Sequence, residues 1–222
     1  MKYRELLASL VSEYVRAVEC RGLSPSIGRP DIRYHLASTA RALQTSEGLR
    51  RDLSYYMQCY KKFIKERLRA SYNKTGYSPE VLAKVLFKRP YMRLKNDVDG
   101  IRYVNELKTF IPMIILDRSK ANPPFMLRKA LKREVVPRVK SNLVLSGYEV
   151  VLADESNRVI YVLFSKVSKL YILSRNVWGV IALFLGVPNI PKYFLGRSVD
   201  EFKLLMHMYY PGSVCEEVGT RD

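Results

Sequence analysis

The sequence has little of what most catalytic sites are made from. Only two histidines occur, His35 in IRYHLAST and His207 in LLMHMYY, and neither has an acid or a cysteine at a useful spacing. Both read as packing or surface residues, which leaves histidine-based acid–base chemistry and zinc binding unsupported. The three cysteines, Cys20, Cys59 and Cys215, contain no CxxC pair. An odd count without that spacing favours reduced thiols inside a cell over a disulfide framework. Long apolar runs are missing too: VWGVIALFLGV, residues 177–187, is roughly half of the ~20 residues a membrane span needs and reads as a buried helix. The first twenty residues carry too many charges for the apolar core of a signal peptide. A phosphate-binding loop is absent, since GLSPSIGRP has one residue too many between its glycines and Arg-Pro where Lys-Ser/Thr belongs. DVDG, residues 97–100, lacks the remaining ligands of a calcium loop and reads as a turn.

Acids are scarce relative to bases. With 38 Lys/Arg against 21 Asp/Glu the formal charge is +17, far beyond what solubility requires and attractive to polyanions such as nucleic acid or anionic lipid. The excess is localised: residues 1–140 hold 30 Lys/Arg and 13 Asp/Glu, and residues 141–222 hold 8 of each. A basic binding portion followed by a neutral one is the simplest division.

Hydrophobic periodicity predicts helices over residues 1–20, over Asp31 to Leu43 and, after a cap at Thr45 or Ser46, over a long segment that ends near Asn73 and Gly76. Leu53, Met57, Tyr60, Ile64 and Leu68 form its inward stripe. Lys61, Lys62, Lys65 and Arg69 fall off that stripe, with Lys61, Lys65 and Arg69 aligned although like charges at this spacing repel. A negatively charged partner explains such a row, and a solvated helix face is the plain alternative. Tyr55, Tyr56, Tyr72 and Tyr77 are then free to stack on bases or touch phosphates. Another helix opens at Ser78-Pro79. Ile101 to Leu116 fits helix or strand equally. A second basic helix is expected over Phe125 to Val136, with Leu127, Leu131 and Val135 inward and Arg128, Lys129, Lys132 and Arg133 outward. YEVVLA, RVIYVLFS and KLYILS read as a three-stranded meander, and Ser198 with Glu201 as the capping box of a last helix.

LKREVVPRVKSNLVLSGYEVV and the strands after it resemble the opening of the PD-(D/E)XK nucleases, which include archaeal Holliday-junction resolvases. The resemblance covers about forty residues. It implies a magnesium-dependent nuclease site in which Glu134 and Lys166 take the helix and terminal-lysine positions and Asp154 or Glu155 supplies a further carboxylate. The chain departs from that pattern at Phe164, which stands where a carboxylate belongs. The hairpin after a basic helix also fits a winged-helix order, but its tip, ADESN, is acidic where phosphate would approach.

The expectation is a mainly helical α+β protein: a basic helical portion over residues 1–140, then a neutral portion over 141–222 with a small antiparallel three-stranded sheet and flanking helices. Its function is expected to be intracellular, non-enzymatic nucleic-acid binding without a cofactor, with DNA narrowly favoured over RNA and homo-oligomers allowed. Contacts run to the phosphate backbone, largely independent of sequence, in a packaging, architectural or nucleocapsid role. A divergent magnesium-dependent nuclease and a structural or membrane-surface protein are the alternatives.

Overall fold

The computed structural model describes residues 14–24, 30–66, 78–89, 91–138, 141–164, 168–174 and 177–218. Among them are five α-helices and nine strands arranged in three sheets, which corrects the expectation of a mainly helical chain with one small sheet. The correction begins with VWGVIALFLGV. It is a strand, β8 (Gly179–Leu185), buried from Val180 onward, with Trp178 just before it 75% exposed. A strand covered on both faces is apolar along its whole length and shows no alternation, so its run looks like a buried helix.

β8 lies between β2 (Met113–Asp117) and β1 (Val15–Arg21), and β9 (Val214–Val218) pairs with the far side of β1. All three pairings are antiparallel. Residues 15–20 are thus strand, where a helix was expected; residues 1–13 lie outside the described residues. Cys20 faces Cys215 across the β1–β9 ladder, and the two form a disulfide with their Cα atoms 4.1 Å apart. This overturns the expectation of reduced thiols for that pair, while Cys59 is free and buried: sheet register joins two residues separated by 195 positions, a proximity that cysteine spacing does not reveal.

Helices cover this sheet. α1 (Ile32–Thr45) starts at Asp31, whose side chain accepts from the Arg33 backbone N–H at 2.9 Å. α2 (Glu47–Glu66) buries Tyr56, Cys59, Tyr60, Phe63 and Ile64, with Leu53 and Met57 partly buried. Leu68, Arg69 and the expected helix end lie outside the described residues. Tyr56 is not a free surface tyrosine; it packs edge-on against Phe110 and Phe194. α3 (Ser78–Lys88) opens at Ser78-Pro79 as expected.

DVDG is not a turn but the first turn of α4 (Asp97–Thr109), because the Asn96 side chain accepts from the Asp99 N–H at 2.8 Å and caps it. The undecided segment resolves into the end of α4, a left-handed Phe110 and β2. α5 (Lys192–Tyr209) begins before Ser198, which is buried within it and accepts from Asn105 Nδ2 at 2.9 Å. Ser-x-x-Glu starts a helix only where the preceding backbone is extended, and here it is already helical.

Residues 125–136 are not a helix. Met126–Lys129 is β3 and Val135–Val136 is β4, separated by a turn in which Arg133 is left-handed. Leu131 and Val135, expected inward, are 60% and 49% exposed. β3 pairs with β6 (Val150–Ala153), which pairs with β7 (Val159–Val162); β4 pairs with β5 (Leu143–Val144). KLYILS contributes a 3-10 turn over Lys169–Tyr171, so β3 is the third strand of the sheet that the meander was expected to complete.

Two buried polar clusters fix α4, the helix on which the site below depends. Glu106 accepts from the Met113 backbone N–H at 2.8 Å and from Ser78 Oγ at 2.9 Å, tying α4 to β2 and α3. Asn105, Thr109 and Ser198 join α4 to α5.

Candidate nucleic-acid interface

Lys61, Lys62 and Lys65 are exposed on α2, away from its buried stripe, which is the placement expected of them; Arg69 lies outside the described residues. Arg128, Lys129, Lys132 and Arg133 do not form a basic helix face. Arg128 is committed to Glu134 through Nη1 at 2.9 Å and Nη2 at 2.5 Å, and its Nε donates to Asn157 Oδ1 at 2.6 Å. The Lys129 ammonium sits over the Tyr148 ring. Lys132 and Arg133 are exposed in the turn between β3 and β4.

Two of the residues named for a nuclease site, Glu134 and Asp154, have structural occupations. Besides Arg128, Glu134 takes the Leu131 N–H at 2.9 Å, and the Arg128 bonds hold its pKa below the ordinary value. Asp154 is fully buried; it accepts from Tyr171 Oη at 2.7 Å and from the Arg158 N–H at 2.9 Å, closing the β6–β7 turn. Glu155 is an exposed turn residue, and Lys166 lies outside the described residues. Among the described residues no three His, Cys, Asp or Glu side chains converge as metal ligands.

A concave surface lies elsewhere. A cleft of about 870 Å³ runs between the start of α1 and the segment that leads into α4; Arg33, Tyr34, Tyr91, Arg93 and Lys95 line it, together with Asp31 and Asp97. Tyr34 and Tyr91 are each 69% exposed. Arg33 is occupied by Asp31, its Nη2 donating at 2.6 Å, so that pair is locally neutral. Arg93 makes no hydrogen bond or ion pair among the described residues. The two segments pack closely against Gly100, where a Cβ would stand 2.5 Å from Ile32 Cγ1 and 2.9 Å from Leu94 Cδ1.

Residues 93–96 form a wall shared with a second pocket of about 260 Å³. Asp99, Arg102 and Tyr103 of α4 line its polar side, and Ile114, Ile115, Ile172 and Leu173 its apolar side. Arg102 lies against the Tyr103 ring with its guanidinium carbon 4.5 Å from the centroid. Burial raises the pKa of the Asp99 carboxyl from its ordinary value, against the pull of Arg102 and Lys95.

Sequence reasoning passed over these residues. Their signal was KRPYMRLK, residues 88–95, four cations in eight positions with a tyrosine among them. The other wall comes from residues 30–34, some sixty positions earlier, and only the fold brings the two together.

The sequence matches no protein-family model and no curated protein. Among solved structures it is similar to an N-terminal fragment of the phenylalanyl-tRNA synthetase β-subunit from Pyrococcus horikoshii, at 13% identity and a TM-score of 0.46, with 96% of this chain and 51% of the fragment covered. It is also similar to the TilS C-terminal domain, at 14% identity and a TM-score of 0.31, with 35% of this chain and 72% of that domain covered. The chain thus spans about half the length of the synthetase fragment. Both likenesses are distant and concern the course of the chain alone.

Proposed function

We propose that the protein binds nucleic acid, taking phosphates on Arg93 and Lys95 along the cleft and on the Lys61, Lys62 and Lys65 face of α2. The observation that carries this reading is the cleft itself, lined by Arg93, which has no partner among the described residues, by Lys95 and by two tyrosines that are each 69% exposed. Phosphates are attracted by exposed cations, and unpaired bases stack on aromatic rings that project from the surface. The +17 charge of the chain supplies the long-range attraction that brings a polyanion to it. Backbone contacts of this kind read little sequence, which fits a packaging or architectural role.

The test is binding to labelled single-stranded DNA, single-stranded RNA and duplex DNA across a salt series, which also ranks the partners. Affinity falls steeply with salt, and on single strands the Arg93→Gln/Lys95→Gln double variant flattens the slope of log K against log salt by about 1.4, two phosphate contacts at roughly 0.7 each. A wild-type protein that binds none of the three at low salt, or a double variant with the wild-type slope, overturns the reading.

A further inference from the structure

The pocket beside the cleft is lined by two charged groups whose hydrogen-bonding capacity is only partly used among the described residues, Arg102 and Asp99. Arg102 directs Nη1 toward the Met113 carbonyl at 3.5 Å and toward Glu106 at 4.0 Å, yet its Nε is buried and bonds to nothing. The Asp99 carboxylate makes no hydrogen bond among the described residues. A buried donor without a partner is destabilising, and such groups persist where something outside the fold satisfies them. Asp99 and Arg102 stand three positions apart on α4, so both project to the same side of the helix, across the pocket from Ile114, Ile115, Ile172 and Leu173.

We infer that this pocket receives one unstacked guanine from a strand lying in the cleft, with Asp99 accepting from the base's N1–H and N2 amino group and Arg102 donating to its O6 and N7. This inference rests on the proposed nucleic-acid reading and names the base that the site takes. The ligand must present adjacent donors to a carboxylate and adjacent acceptors to a guanidinium, on a flat frame that fills an apolar slot. Guanine does so on two neighbouring edges. Adenine and cytosine offer a carboxylate only their amino group, and uracil a single ring N–H. The pairing of arginine with guanine O6 and N7 is the commonest specific arginine–base contact. The shared wall at residues 93–96 supplies the route: a strand in the cleft keeps its phosphates near Arg93 and Lys95 while one base turns over that wall, as bases do where they leave a stack.

Short thymine strands with one central guanine, adenine, inosine or 7-deazaguanine test the inference on the unaltered protein, read by fluorescence anisotropy at fixed salt. The guanine strand binds about tenfold tighter than the adenine strand. Inosine, which lacks the N2 amino group, and 7-deazaguanine, which lacks N7, each lose part of that advantage, and Asp99→Asn erases the difference between guanine and inosine. Equal binding of all four strands with a steep salt dependence overturns the guanine pocket and leaves strand binding in place. A guanine–inosine difference that survives in Asp99→Asn overturns the assignment of Asp99. No binding of any strand overturns both this inference and the reading beneath it.

Discussion

Asp117 at the end of β2 shows how single side chains hold the walls of the site. Its carboxylate accepts from Ser119 Oγ and Ser174 Oγ, each at 2.6 Å, and from both backbone N–H groups, while Lys120 stands 3.3 Å away. Through Ser174 it fixes the segment that carries Ile172 and Leu173. Burial pushes its pKa up, but the hydrogen bonds prevail and hold it at about 2, below the ordinary 3.8. A folded pKa below the unfolded one gives stability that is present above the unfolded value and lost as pH falls through the folded one. Urea unfolding is therefore expected to show Asp117→Asn less stable than the wild type by roughly 2 kcal/mol at neutral pH. That difference narrows as the pH drops from about 4 toward about 2. A difference independent of pH would contradict this assignment. At the same scale, the exposed lysines of α2 were legible in the sequence because helical spacing separates them from a buried stripe. Tyr56 was not, because the stripe is wide enough to include it.

At the scale of elements, legibility followed local punctuation. The Ser78-Pro79 start identifies α3 correctly, since the opening of a helix is decided by a few adjacent residues. Strands β1 and β8 were hidden because partners on both sides, and cover on both faces, remove the alternation by which a half-exposed strand is recognised. β3 was misread because Leu127, Leu131 and Val135 mimic helical spacing, whereas pairing with β6 decides the conformation. The Cys20–Cys215 disulfide belongs to this scale too, fastening the edge strand β9 to β1. Reduction, or the Cys20→Ser/Cys215→Ser variant, is expected to lower the unfolding free energy by about 2–4 kcal/mol. Denaturant melts with and without reductant check this, and coincident curves would contradict it.

For the whole molecule, charge was the most informative feature of the sequence, and assembly was the least visible one. The basic excess before residue 140 is attractive to polyanions but gives no place where one would lie. The four-stranded sheet takes β1 and β2 from before that point and β8 and β9 from after it. The walls of the cleft and its pocket come from residues 30–34, 91–103, 114–115 and 172–173, segments whose convergence no local pattern encodes. The central claim is that nucleic acid lies in this cleft. Ultraviolet cross-linking of the protein to a bound single strand, followed by mass spectrometric location of the adducts, tests it most directly. Adducts on Tyr34 and Tyr91 are the predicted result; adducts confined to peptides outside residues 30–34 and 91–103, or none from a strand shown to be bound, would contradict it.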